Sequence, residues 1–535
     1  MRPRSALSLA ALAAAPLLGS ATAHAATLSG KKPNIIFIFT DDHAWQAMGA
    51  YGSRFGADVT PRLDAMAKEG VTFENCVCGN PLSGPSRAIV LTGKFSHANR
   101  YFSNEYSPDF DGKQETLPKV MARAGYQSAI LGKWHLGGRP VGFDHFDILP
   151  GHGRYYNPEF ISPKGKKVEE GYITDLLADK AIDWMKNGRD ASKPFVLMVH
   201  HKAPHRNWQP GPNEVNLWPG RVWPEPANLR DDYKNRAKPI AEARMRISQF
   251  DLDNDLHMPS VPNPEKGSFA GTIKGMTPDQ REKFTGAFEP ENAAFRANRP
   301  KGDELLKWKY QRYITEYMRC IKGVDNSVGR ILDHLKASGL DENTLVVYSS
   351  DQGFFLGEHG LYDKRLPYVE SVRMPLLVRW PGKLRPGSRV PAIVQNTDFL
   401  PTFMDLAGLP PDKAMHGKSM LPLMTGQARA LRDAAYTHFY EHTGEHNAAA
   451  NVALRTNEHL LVRYYDTNET ELFDLKKDPH EMRSVADEPA YASTRKRLEA
   501  RLAAMAAEYG DKTLPWGDDD AGVPPHKKAK KKAAK

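Results

Sequence analysis

NIIFIFTDD, residues 34–42, is a continuous apolar run rich in Ile and Phe that ends in two aspartates. A run that is apolar at every position suits a strand covered on both faces, as in a mostly parallel sheet. Open α/β sheets place ligands outside their strand ends, and adjacent carboxylates there repel unless a cation lies between them. Asp41 and Asp42 are therefore candidate metal ligands. The plainer alternative is a solvated loop start or a helix cap.

Outward from this strand, the chain alternates helical and extended patterns. TPRLDAMAKEG (60–70) reads as a short helix and VTFENCVC (71–78) as a strand or loop. TLPKVMARAGYQSAILGKWHLGG (116–138) repeats the order helix, strand, loop, and KPFVLMVHHKAPHRNWQP (193–210) is a strand followed by a polar loop. A helix over 309–338 leads into NTLVVYSSDQG (343–353), a second buried strand ending in an acid, here Asp351 followed by Gln352. PLLVRWPG (375–382) is a further strand and TDFLPTFMDLAGL (397–409) a helix. From about residue 431 short antiparallel strands take over, followed by a charged helix over 490–508. The fold class is α/β: a large, mostly parallel sheet flanked by helices, with a smaller C-terminal antiparallel sheet plus helix. The expected division is a leader over 1–25, a catalytic domain over 26–430, an α+β subdomain over 431–515 and a disordered Lys-rich tail over 516–535.

The leader has Arg2 and Arg4, an apolar run over 6–18 and Ala23-His24-Ala25, the pattern of a secretory signal peptide cleaved after Ala25. Its apolar run is shorter than a bilayer span, and no second run is long enough, so a periplasmic or secreted protein without a membrane span is expected. Eight of the nine net positive charges lie in the leader and in six Lys of the tail, which leaves the body near neutral. That balance, and the absence of helix-turn-helix, zinc-finger or RNA-binding patterns, argues against nucleic acid as a partner. Three cysteines make no disulfide framework. Cys320 shares a helical apolar stripe with Tyr313, Tyr317, Val324 and Val328, as a packed hydrophobe would.

The most informative segment for chemistry is CGNPLSGPSRAIVLTG (78–93). Pro85 is compatible with the first turn of a helix, whose N–H groups lack partners in any case, so Ser83 lies at a helix N-terminus where an anion is favoured. For an isolated Ser-x-Pro-Ser, an ordinary cap would be the simpler reading. SGPSRAIVLTG, however, resembles the maturation motif of the formylglycine-dependent type I sulfatases of the alkaline phosphatase superfamily, with Ser83 at the oxidised position. GKWHLG (132–137), HKAPH (201–205) and DQGFFLGEHG (351–360) resemble further signatures of that family, in the expected order, over about residues 33–487.

The resemblance implies a calcium site made by Asp41, Asp42, Asp351, Gln352 and the formylglycine formed from Ser83; Gln352 stands where Asn or His is commoner. It implies that the hydrated aldehyde attacks sulfur, that its second hydroxyl then releases sulfate, and that Asp351 takes the attacking hydroxyl's proton. An unmodified serine would lack that second hydroxyl. Arg87, Lys133 and Lys364 would hold the sulfuryl group, His205 would protonate the leaving alcohol, and His135 would assist the second step. Substrate contacts are expected from Arg154, Tyr155, Asn157, Arg206, Trp208 and His359. For Trp208, Trp218 and Trp223, at the start of a long irregular stretch over 209–300, stacking on sugars and pinning the loop to the core stand as equal readings. The implied substrate is a sulfated oligo- or polysaccharide, with 6-O-sulfated N-acetylglucosamine of heparan-type chains the nearest match. The implied partner is an anaerobic-type formylglycine-generating enzyme. Alternatives are another sulfated polysaccharide or an aryl sulfate, a phosphodiesterase or phosphonate hydrolase of the same superfamily, and a non-catalytic glycan-binding protein.

Overall fold

In a computed structural model, residues 30–105, 107, 109–259, 267–441 and 445–512 are described. The leader over 1–25 and the tail over 516–535 lie outside the described residues. Thirteen strands precede residue 400. They are β1 (Asn34–Thr40), β2 (Val71–Val77), β3 (Gln127–Lys133), β4 (His145–Leu149), β5 (Glu159–Ser162), β6 (Gly165–Val168), β7 (Phe195–His200), β8 (Thr344–Ser350), β9 (Phe355–Leu356), β10 (Tyr362–Asp363), β11 (Arg373–Met374), β12 (Leu376–Arg379) and β13 (Ser388–Gln395). All but the β9–β10 pair form one sheet in the order β11-β2-β12-β8-β1-β7-β3-β4-β5-β6, with β13 beside β2. Its centre, β8-β1-β7-β3-β4, is parallel; β12 lies antiparallel between β8 and β2, β13 runs parallel to β2 at that edge, and β5 and β6 are antiparallel at the other. The sheet is thus mixed.

β1 is buried along its whole length, and its alternate residues feed two cores. Ile36 and Ile38 face the long helix Gly302–Ser338 through Tyr313, Tyr317, Val324 and Val328. Ile35, Phe37 and Phe39 face the helices Ser83–Thr92 and Phe399–Leu406. Covering both faces is what the unbroken apolar run requires; each such Ile or Phe contributes roughly 1.5–3 kcal/mol relative to exposure. Cys320 is fully buried in the first core, and Cys76 and Cys78 are free and buried.

The stretch over 209–300 is less irregular than its composition suggests, because it contains a 20-residue helix, Pro278–Ala297. Thr277 and Gln280 form a reciprocal capping box at its start, with the Gln280 amide donating to Thr277 Oγ1 at 3.3 Å.

The C-terminal part is a four-stranded antiparallel sheet, β14 (Ala435–Phe439), β15 (Asn451–Arg455), β16 (His459–Tyr464) and β17 (Glu469–Asp474), packed on the helix Ala492–Tyr509. It is bonded to the larger part beside the Ser83 segment: the His438 amide donates to the Gly79 carbonyl at 2.9 Å and Thr437 Oγ1 to the Cys78 carbonyl at 2.9 Å. Among the described residues, no helix is long and apolar enough to cross a membrane.

Candidate active site

β1 and β8 are parallel neighbours with Thr40 opposite Ser350, so the residues that follow them leave the sheet side by side. This brings Asp41 and Asp42 against Asp351, with carboxylate oxygens of all three within 4.8 Å of one another. Ser83, at the first position of its helix, donates from Oγ to Asp41 Oδ1 at 2.8 Å. One turn on, Arg87 Nη2 donates to Asp351 Oδ2 at 2.9 Å and lies 3.7 Å from Asp41 Oδ1. Its Nη1 reaches the Lys133 carbonyl at 3.2 Å and lies 3.1 Å from His200 Nδ1. Lys133, the last residue of β3, pairs with Asp41, and Lys364 Nζ donates to Asp42 Oδ1 at 2.6 Å.

The helix can approach this closely because residue 84 is glycine. A Cβ there would lie 2.6 Å from Asn104 Oδ1 and 2.8 Å from the Tyr101 ring, while the Gly84 amide donates to the same Asn104 oxygen at 3.0 Å.

Three buried carboxylates at one point conflict electrostatically. Burial pushes Asp42 up to about 8, against the pull of Lys364, and Asp41, Asp351 and Asp363 add to the rise. Burial and Asp41 push Asp351 up to about 6, against Arg87. Burial also acts upward on Asp41, but Lys133, His205 and Arg87 outweigh it and hold that carboxyl well below the usual range. The fourth oxygen at the site is Gln352 Oε1, which is buried without a hydrogen-bond partner although its Nε2 donates to Asp42. An orphan amide oxygen beside three crowded carboxylates is a donor set for a hard divalent cation, and its all-oxygen chemistry suits calcium better than zinc. The residues present therefore fit a calcium ion.

Above this floor, three imidazoles stand in a row, His135 to His152 to His205, with ring centroids 4.2 and 4.6 Å apart. His205 Nδ1 lies 2.5 Å from the Arg206 carbonyl, which only accepts, so Nδ1 carries the proton and Nε2 faces Asp42 Oδ2 at 3.8 Å. Burial, with Lys133 close by, drives both His135 and His205 well below the ordinary histidine range; Asp41 opposes this in each case. The three rings open onto a cleft of about 470 Å³ lined also by Arg206, Lys364, Arg365, Glu441 and Glu445.

The structure brings Asp41, Asp42, Ser83, Arg87, Lys133, His135, His205, Asp351, Gln352 and Lys364 together, and it corrects the expected sugar contacts. Trp208 is fully buried, its ring 4.5 Å from Tyr313 and 5.6 Å from Phe250, so it pins the loop to the core. Trp223 is buried likewise. His359 is fully buried with Nδ1 bonded to Asp231 at 2.8 Å. Asn157 uses its amide on Gly275, Gln280 and Gly171 and has none left for a ligand. Tyr155 is 2% exposed and donates to the His205 carbonyl at 2.6 Å, which positions that histidine. Arg154 is exposed, and Arg206 lines the cleft while donating to Asp255 at 2.8 Å.

Sequence reasoning missed His152, Asp363, Arg365, Glu441, Glu445 and His446. Asp363 and Arg365 flank Lys364 and bond each other at 2.6 Å, so the Asp-Lys-Arg triplet was a usable signal. His446 reaches Asp363 at 2.9 Å from the far C-terminal part, where no local pattern announces it.

Comparison with known proteins agrees with this geometry. The family model described as Sulfatase matches residues 33–409, and that of the N-sulphoglucosamine sulphohydrolase C-terminal region matches residues 357–508. An N-acetylglucosamine-6-O-sulfatase of Bacteroides thetaiotaomicron is 42% identical over 493 residues, covering 90% of this chain and 87% of that protein. A solved structure described as a complex with its substrate D-glucosamine-2-N,6-O-disulfate superposes with a TM-score of 0.88 at 42% identity, covering 91% of this chain and all of that one. A phosphonate monoester hydrolase of Agrobacterium radiobacter shares the fold at 22% identity, with a TM-score of 0.63 over 91% of this chain and 98% of that one.

Proposed function

This chain belongs to the sulfatase family and is a sulfuric ester hydrolase, and from that premise we propose that it removes the 6-O-sulfate of glucosamine residues in heparan-type glycosaminoglycan chains. The observation that carries the reading is Ser83 Oγ on Asp41 at 2.8 Å, where two strand ends meet and Arg87, Lys133 and Lys364 converge. The 42%-identical relative named an N-acetylglucosamine-6-O-sulfatase and the 42%-identical structure described with D-glucosamine-2-N,6-O-disulfate support the sugar.

In this proposal Asp41, Asp42, Asp351 and Gln352 would hold calcium, and formylglycine made from Ser83 would supply the nucleophilic hydroxyl. The serine of the structure stands in for that group. Arg87, Lys133 and Lys364 fix the sulfuryl oxygens and meet the charge that grows on them. His205, anchored through Nδ1 to the Arg206 carbonyl, presents Nε2 to the leaving oxygen. The negative charge of a bound sulfate ester favours its imidazolium form, which hands over the Nε2 proton. His135 Nδ1, buried without a partner, accepts or returns the proton at the Ser83 position. The Tyr155 hydroxyl, donating to the His205 carbonyl at 2.6 Å, holds that histidine in place. We further propose that the protein is exported and is matured by a formylglycine-generating enzyme of the anaerobic type.

The test combines the mass of the Ser83 peptide with turnover. Active enzyme should lack two hydrogens at Ser83 and should desulfate N-acetylglucosamine 6-sulfate far faster than it hydrolyses the 6-phosphate. Full activity with an unmodified serine, or preference for the phosphate, would overturn the reading. The phosphonate monoester hydrolase shares only the fold and gives no comparable support for that alternative.

A further inference from the structure

Beside the cleft lies a second cavity of about 270 Å³, joined to it through Arg206, Asn207 and Asn254, which line both. Its lining holds Arg154, Lys202, Arg206 and Lys274, and no Asp or Glu. Arg206 is already paired with Asp255, but Arg154, Lys202 and Lys274 have no carboxylate partner among the described residues. Lys202 is the telling one: it is 6% exposed, and its ammonium rests 4.9 Å from the Tyr155 ring. A buried ammonium without a counter-ion is expensive to keep, and a cation–π contact offsets that only in part. Burial first, and then the nearby Lys133, lower it to about 8, against the opposing pull of Asp41 and Asp42. Such a site is stable when an anion from outside completes it.

We infer that Lys202, Arg154 and Lys274 form a second anion subsite, which takes a further negative group of the glycan while the first sulfate lies at Ser83. This rests on the substrate reading above and adds to it the requirement for a second charge. The group is a sulfamate on the same glucosamine or the carboxylate of an adjoining uronate. Both are flat or tetrahedral oxyanions that a lysine and a guanidinium bind through charge-assisted hydrogen bonds. Lys202 also adjoins Tyr155, whose hydroxyl holds the His205 carbonyl, so filling the cavity braces the wall that carries the proposed acid.

The test is kcat and KM of the full-chain enzyme on three probes: N-acetylglucosamine 6-sulfate, glucosamine 2-N,6-O-disulfate, and a disaccharide in which the 6-sulfated glucosamine adjoins a uronate. The enzyme should favour at least one doubly anionic probe by about tenfold in kcat/KM, the scale of one charge-assisted contact, and the favoured probe identifies the group. Lys202→Met and the exposed Lys274→Gln should each shrink that preference to about twofold, mainly through KM. Equal handling of all three probes by the parent would overturn the inference and leave the substrate reading intact. So would variants that slow all three by one factor, the mark of a merely structural role. Failure of the parent on every probe would overturn the substrate reading itself, and this inference with it.

Discussion

At the floor of the cleft, Asp41, Asp42, Ser83, Arg87, Lys133 and Asp351 are at most 1% exposed, and each sits on or directly after a regular element. At the rim and in the cavity beside it, Arg206 and Arg154 come from loops and Glu445 from the C-terminal part, and Arg154 and Glu445 face solvent. The floor is fixed several times over: Arg87 alone has contacts to Asp351, Asp41, His200 and the Lys133 carbonyl. A rim residue such as Glu445 pairs with side chains outside the main sheet, Arg365 at 2.8 Å and Arg206 at 3.9 Å, and can be replaced without moving that sheet. On the proposed reading the floor sets whether sulfur is attacked, and the rim sets which sugar is presented.

That contrast can be broken or sharpened by mutation. Ser83→Ala should abolish turnover of N-acetylglucosamine 6-sulfate, by on the order of 10⁴-fold or more in kcat, while calorimetry still detects glycan binding. Stripping divalent cations with a chelator should cost on the order of 10³-fold and be reversed by calcium but not by zinc. The same protein should show a rise in Tm as calcium is added, because a ligand held only by the folded state stabilises it by about 2.7 kcal/mol at a hundredfold excess over Kd. Lys133→Met or Lys364→Met should lower kcat by about 10²–10³-fold with a smaller change in KM, as expected for donors aimed at developing charge. His205→Asn should lower kcat by about 10²-fold on a sugar sulfate but only a few-fold on 4-nitrophenyl sulfate, whose leaving group needs no proton. The smallest effect belongs to the rim: Glu445→Gln should change KM about threefold or less and leave kcat in place, the scale of an exposed ion pair. An equal loss at Glu445 and Lys133 would erase the distinction.

The floor was legible in the sequence because each piece is local. A strand that ends in Asp-Asp, a helix that begins at Ser83 and a second strand that ends in Asp351 carry their own patterns, and parallel pairing of β1 with β8 does the rest. Residues whose role depends on distant partners were not legible. Trp208 and His359 have the composition of ligand contacts, but Tyr313 and Asp231 had already claimed them. Lys202 looked like one more polar residue of a His-rich loop, and only the fold shows its ammonium resting against the Tyr155 ring in a cavity lined by no Asp or Glu. The helix Pro278–Ala297 was hidden by its Pro, Gly and charge, although Thr277 and Gln280 spelled its capping box.

The pairing of β1 with β8 has a consequence for how the protein is made. The Asp42 amide and the Asp351 carboxylate it meets are 309 positions apart. Until the ribosome has delivered β8, the enclosure around Ser83 cannot close, and the serine remains on an open segment. Once closed, it is 1% exposed and beyond the reach of any other enzyme. On the proposed reading, oxidation of that side chain must therefore win a race against folding, and slowing the synthesis of the later part of the chain would widen the interval in which it can be won.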